Sequence, residues 1–179
     1  MKAVLLSTRP RWCWLIAIGR KLVEVRKTRP KIDTPFKCLI YETKGKSDVP
    51  TFIDEDGHYI YEGRGQVIGE FVCDRIIEFD APGGLYRVTP NFIEKECCLS
   101  MPELQEYGYD AKTNSYKNLY GWHISDLVIY DEPKELSEFH RPCTPACNYS
   151  EECGGANATD CLFGINKAPQ AWCYVEVVA

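Results

Sequence analysis

Between Gly19 and Arg26 the chain sets three charged side chains, Lys21, Glu24 and Arg26, into a β-branched run that directly follows an apolar stretch. That order constrains the fold: an apolar helix must end at Gly19 and hand over at once to a strand with ionised groups. A strand made only for packing more often carries Thr or Ser at such positions. If the strand starts near Leu22, its period of two sends Val23 and Val25 to one face and Glu24 and Arg26 to the other. Lys21 sits in the turn before that rule applies. Two cations and a carboxylate gathered there can bind a phosphate or polarise a carbonyl. The plainer alternative is a solvated edge strand with a surface ion pair of little energetic worth.

The rest of the chain reads as short strands with few helices. Strands are expected over residues 2–7, 22–27, 36–42, 66–79, 120–130 and 171–178, with a bulge near Asp74. Ser7 or Thr8 can cap a helix with Pro10 in its first turn and Gly19 at its end. Asp54, Glu55, Asp56 and Gly57 mark a hairpin turn between Phe52-Ile53 and Tyr59-Ile60-Tyr61. Two short helices follow the Pro82-Gly83-Gly84 turn, over residues 91–98 and then from Ser100, where Glu103 supplies capping-box spacing. Residues 107–118 form a polar, tyrosine-rich loop, and residues 133–139 a helical turn. The absence of βαβ alternation predicts a mainly β, α+β fold built on a β-barrel. At 179 residues this is a single domain, 1–179, with a Cys-rich insertion at 140–168.

Charge is distributed unevenly. Residues 1–31 hold nine basic side chains and one acid, Glu24, in a chain whose net charge is −5. One electropositive face and an acidic remainder favour a phosphate-bearing ligand. The longest apolar run, 12–18, is too short to span a bilayer. It is flanked by arginines and lacks a small-residue cleavage site, so it reads as a buried helix of a cytoplasmic protein.

Ten cysteines divide into groups. Cys13, Cys38, Cys73 and Cys173 lie in apolar surroundings and read as inert core thiols. Cys97 and Cys98 end a helical stretch. Cys143, Cys147, Cys153 and Cys161 crowd into one strand-poor segment, where four thiolates can close a structural zinc site; free thiols or disulfides are the alternatives. Four thiolates leave no open position for catalytic zinc. The sequons at Asn148 and Asn157 are chance matches in this setting.

The run Leu5-Leu6-Ser7-Thr8-Arg9-Pro10, followed by Leu15, Ile16, Gly19, Lys21, Glu24 and Arg26, resembles the activating-signal-cointegrator homology (ASCH) domain. Gly69-Glu70-Phe71, the segment from Tyr120 to Asp126, and Trp172-Cys173-Tyr174-Val175 resemble later strands of small prophage-type bacterial ASCH proteins. The resemblance implies a PUA-like β-barrel and an association with RNA. It implies binding of RNA, a nucleotide or a modified nucleoside in a cleft between the first helix, the Lys21–Arg26 strand and the Glu70 strand. Ser7, Arg9, Lys21, Glu24, Arg26, Tyr120, Trp122 and His123 are the expected ligand-binding residues. Ser7 and Arg9 would hold an anion at a helix start, and Trp122 or Tyr120 would stack a base. Some relatives resemble amidohydrolases or ribonucleases, which implies an alternative: a metal-independent hydrolase with Lys21, Glu24 and Glu70 as catalytic groups. The amidohydrolase-like relatives have Thr where this chain has Glu24. A third reading is an interaction module that grips a protein partner through the insertion. A deep closed cleft would favour the enzyme; an open basic groove on the Lys27–Lys31 side would favour RNA.

Overall fold

In the computed structural model the described residues are 1–53, 56–142 and 164–177. The first strand, β1 (Lys2–Thr8), leads into α1 (Pro10–Ala17) and then β2 (Val23–Arg26) and β3 (Phe36–Glu42). Four two-residue strands follow, β4 (Gly45–Lys46), β5 (Phe52–Ile53), β6 (Tyr59–Ile60) and β7 (Glu62–Gly63), before the long β8 (Val67–Phe79). Helices α2 (Pro90–Glu96) and α3 (Met101–Gly108) precede a small hairpin, β9 (Tyr109–Asp110) with β10 (Ser115–Tyr116). The chain ends on β11 (Leu119–Lys134) and β12 (Trp172–Glu176).

The mainly β, α+β class expected from the sequence holds. The main ladder is a six-stranded sheet in the order β12-β1-β3-β8-β11-β2, with β12 and β2 at its ends, so among the described residues it is an open sheet and not a closed ring. Two compact units divide the chain. The first comprises Met1–Trp14, Lys37–Phe71 and the described part of Leu127–Ala179; the second comprises Leu15–Phe36 and Val72–Asp126.

In the first unit β1 runs antiparallel to β12 and parallel to β3, with Val4 opposite Cys38 and Leu6 opposite Ile40. The unbroken apolar run Ala3 to Leu6 sends apolar side chains to both faces of β1, and all four residues are buried, as in a strand covered on both faces. Ala3, Leu5, Leu39, Tyr41, Val67 and Val175 form one core cluster.

In the second unit Val23, Val25, Phe79, Tyr86, Ile93, Cys97, Leu104 and Leu119 form the core. Helix α2 starts at Thr89, whose side chain accepts the Phe92 N–H, and α3 starts at the expected capping box: Ser100 accepts from Glu103 N, and Glu103 accepts from Ser100 N. Two elements differ from expectation. The tyrosine-rich loop contains the β9–β10 hairpin, whose turn is made by Asp110 accepting from Lys112 N and by Asn114 at φ 49°. Strand β11 runs on through Pro133, where a helical turn was expected, and only Leu136–Glu138 is helical. Strand β2 pairs only with Tyr120 to His123, so Pro133 lies on a stretch of β11 beyond that ladder, where a missing donor is tolerated.

Candidate functional site

Helix α1 stops at Gly19, whose φ of +70° is open to glycine without strain. Arg20 N and Lys21 N both donate to the Leu15 carbonyl, and this tight turn swings Lys21 inward. Its side chain is 98% covered, since only 2% remains exposed. The ammonium donates to the Cys97 carbonyl at 2.6 Å and lies 3.5 Å from Glu24 Oε2. Arg26 Nη2 lies 2.8 Å from Glu24 Oε1. Lys21, Glu24 and Arg26 thus form one buried charge cluster, which removes the solvated-edge alternative. Cys97 ends α2, so Lys21 places a cation at a helix C-terminus, where the carbonyls lack intrahelical partners. The neighbouring backbone fixes this geometry: Leu22 N donates to Glu96 O, and Ile124 N to Leu22 O.

Strand β11 supplies the other wall. Tyr120 pairs with Arg26 and Trp122 with Glu24, so these side chains share a face of the sheet. Gly121 between them gives Phe79 and Val23 room, because a Cβ there would meet Phe79 Cζ and Val23 Cγ1 at 2.7 Å and force them to shift. Trp122 is fully buried and stands edge-on to Phe36, with ring centroids 5.8 Å apart. Trp122, one of the two rings expected to stack a base, thus presents its indole to core packing and not to solvent. His123 pairs with Val23, on the opposite face, and its Nδ1 lies 2.6 Å from Asp74 Oδ1. Burial pushes the Asp74 carboxyl up, but the His123 hydrogen bond and the charges of His123 and Arg75 outweigh it and hold the group below its ordinary value. His123 is not brought together with Lys21, Glu24 and Arg26.

Beyond Arg26 the chain wraps a cavity of about 680 Å³, lined by residues 27–34 with Ile76 of β8 and Tyr120 of β11. Lys27, Arg29 and Lys31 bring three cations to it against one acid, Asp33. All three cations are exposed. The Arg29 guanidinium carbon lies 6.0 Å from the centre of the Tyr120 ring, within reach of a cation–π contact. Tyr120 joins the two parts of the site: its backbone pairs with Arg26, and its side chain lines the cavity. This cavity differs from the expected cleft, because neither α1 nor Glu70 lines it.

Solved structures similar to this chain include the crystal structure of ASCH from Zymomonas mobilis, 19% identical, with a TM-score of 0.51 over 75% of this chain and 73% of that one. A serine-to-alanine mutant of the Zymomonas mobilis protein is 16% identical, with a TM-score of 0.55 over 97% of this chain and 88% of the other. The chain has an ASCH-type fold. No protein-family model matches it, and no curated protein matches it in sequence.

Other residues expected at the ASCH-type site belong to the first unit. Glu70 accepts from Lys37 Nζ at 2.6 Å and from the Tyr130 hydroxyl at 2.7 Å. Burial raises its carboxyl, but these hydrogen bonds, with the charges of Lys37 and Lys134, hold it below the ordinary range. Ser7 donates its hydroxyl to Pro169 O at 2.7 Å and its N–H to Ala171 O, so it ties down the approach to β12. Arg9 is exposed beside it. Cys13, Cys38 and Cys73 are buried, and burial pushes the Cys73 thiol up to about 12, as suits an inert core cysteine. Cys143, Cys147, Cys153 and Cys161 lie outside the described residues. Among the described residues no helix is long and apolar enough to cross a membrane.

One feature escaped sequence reasoning: the Cys97 carbonyl is a backbone group and leaves no trace in residue identity. The basic Lys27–Lys31 side was legible in the sequence, but Ile76 and Tyr120 as the other lining residues of its cavity were not.

Proposed function

We propose that the protein binds RNA, or a nucleotide or modified nucleoside, in the cavity built by residues 27–34, Ile76 and Tyr120. One observation carries the reading: Lys27, Arg29 and Lys31 surround a concavity that also presents the Tyr120 side chain. Cations suit phosphate oxygens, and an aromatic ring offers a stacking platform to any base. A volume of about 680 Å³ lies within the range of ligand sites. The position on the Lys27–Lys31 side supports nucleic acid over a closed catalytic pocket. The hydrolase alternative would give reactive roles to Lys21, Glu24 and Glu70, each of which is held in an ion pair or hydrogen bond. The buried cluster then serves to hold β2 and the start of the 27–34 segment in place.

Fluorescence anisotropy of a labelled single-stranded RNA across a salt series tests this reading. Neutralising about three phosphates predicts a slope of log affinity against log salt near −2. Arg29→Glu should flatten that slope and weaken binding while the melting temperature stays unchanged. Salt-insensitive binding, or an Arg29→Glu variant indistinguishable from wild type, would overturn it. We also propose structural zinc at Cys143, Cys147, Cys153 and Cys161. Elemental analysis should then find about one zinc per chain, and its absence with all four thiols reactive would end that proposal.

A further inference from the structure

Three tyrosines that the cavity does not use lie close by on the same unit. Tyr107, Tyr109 and Tyr116 are 38%, 40% and 37% exposed. Lys27, which lines the cavity, also lies with its ammonium 4.9 Å from the centre of the Tyr107 ring. Tyr109 and Tyr116 face each other across the β9–β10 ladder with ring centroids 5.4 Å apart. Tyr116 in turn stands edge-on to Tyr86 at 6.3 Å, which fixes its ring. Lys117 follows at once and pairs with Asp110 at 2.6 Å, so the carboxylate that follows Tyr109 is neutralised by a neighbour.

We propose that these tyrosines continue the cavity into a stacking track for the flanking bases of a single-stranded RNA, with Lys27 as the junction. The ligand class is therefore an oligonucleotide several residues long and not a free nucleoside or mononucleotide. The inference rests on the reading that the cavity takes a nucleotide, and it goes further by assigning a second surface and a minimum ligand length. Aromatic rings interleaved with lysines suit this ligand, because stacking tolerates any base while the cations follow the backbone.

The test compares uridine monophosphate, a dinucleotide and an octanucleotide of uridine by competition anisotropy. Wild type should gain affinity steeply from the dinucleotide to the octanucleotide. Tyr109→Ala and Tyr109→Leu should each lose roughly five- to hundredfold on the octanucleotide and keep wild-type affinity for the monophosphate. Tyr109→Phe, which removes only the hydroxyl that donates to Asn114, should bind as wild type does. The Leu variant separates stacking from packing, since it keeps apolar bulk without a ring. Equal affinity for monophosphate and octanucleotide, or a Tyr109→Leu variant that retains the length gain, would overturn the track and leave the cavity reading intact. Binding of none of the three ligands would overturn both.

Discussion

Glu24 and Glu70 are both glutamates on strands beside a lysine, yet their surroundings make them different groups. Glu24 is 5% exposed and lies between Lys21 and Arg26, with the Lys21 ammonium also bound to the Cys97 carbonyl. Glu70 keeps 24% of its side-chain surface in water and takes Lys37 and the Tyr130 hydroxyl as partners. An ion pair out of water is held by its partners, because removing one strands a charge in a poor solvent. A partly exposed pair loses less, because water replaces part of the missing partner. The same residue type is thus structural scaffolding in one unit and an adjustable, pH-sensitive contact in the other.

The largest expected effect follows from the buried member. Glu24→Ala leaves Lys21 and Arg26 without their carboxylate and should lower unfolding free energy by about 3–5 kcal/mol. Urea denaturation measures this, and a loss under about 1 kcal/mol would mean that water reaches the cluster.

Glu70→Gln should cost about 1 kcal/mol at neutral pH, the worth of hydrogen bonds to a charged group discounted for solvent. Its pH dependence sharpens the contrast. The folded state holds the Glu70 carboxyl below its ordinary value. Its contribution is therefore complete above the unfolded-state value and fades as pH falls through the depressed folded-state one. Thermal melts from neutral to acid pH should show a smaller acid loss in Glu70→Gln than in wild type. Parallel curves would remove Glu70 from the acid response.

The smallest effect is at Arg11 and Asp48, 3.3 Å apart and 44% and 64% exposed. Asp48→Ala should change stability by about 0.5 kcal/mol or less. A loss comparable with that of Glu24→Ala would break the burial argument that ranks all three sites.

Much of the frame was legible because its signals are local. The β-branched and aromatic run of Phe36–Glu42 forms β3 over the expected residues, and Ser100 with Glu103 forms the capping box. Gly19 announced the turn that swings Lys21 inward. What could not be read was which groups cover a charge. Nothing around Lys21 says that residue 97, far along the chain, will offer its carbonyl, and burial by distant segments decides whether Trp122 is a platform or a core residue. The β9–β10 hairpin stayed hidden because its strands are two residues long and polar, with no alternation to detect.

Photo-crosslinking with a 4-thiouridine oligonucleotide, followed by peptide mass spectrometry, reads the binding surface directly on the intact protein. The account predicts cross-links on Tyr120 and within residues 27–34, lost when Arg29 is replaced by Glu. Cross-links confined to residues outside that segment and Tyr120, unchanged by Arg29→Glu, would contradict it.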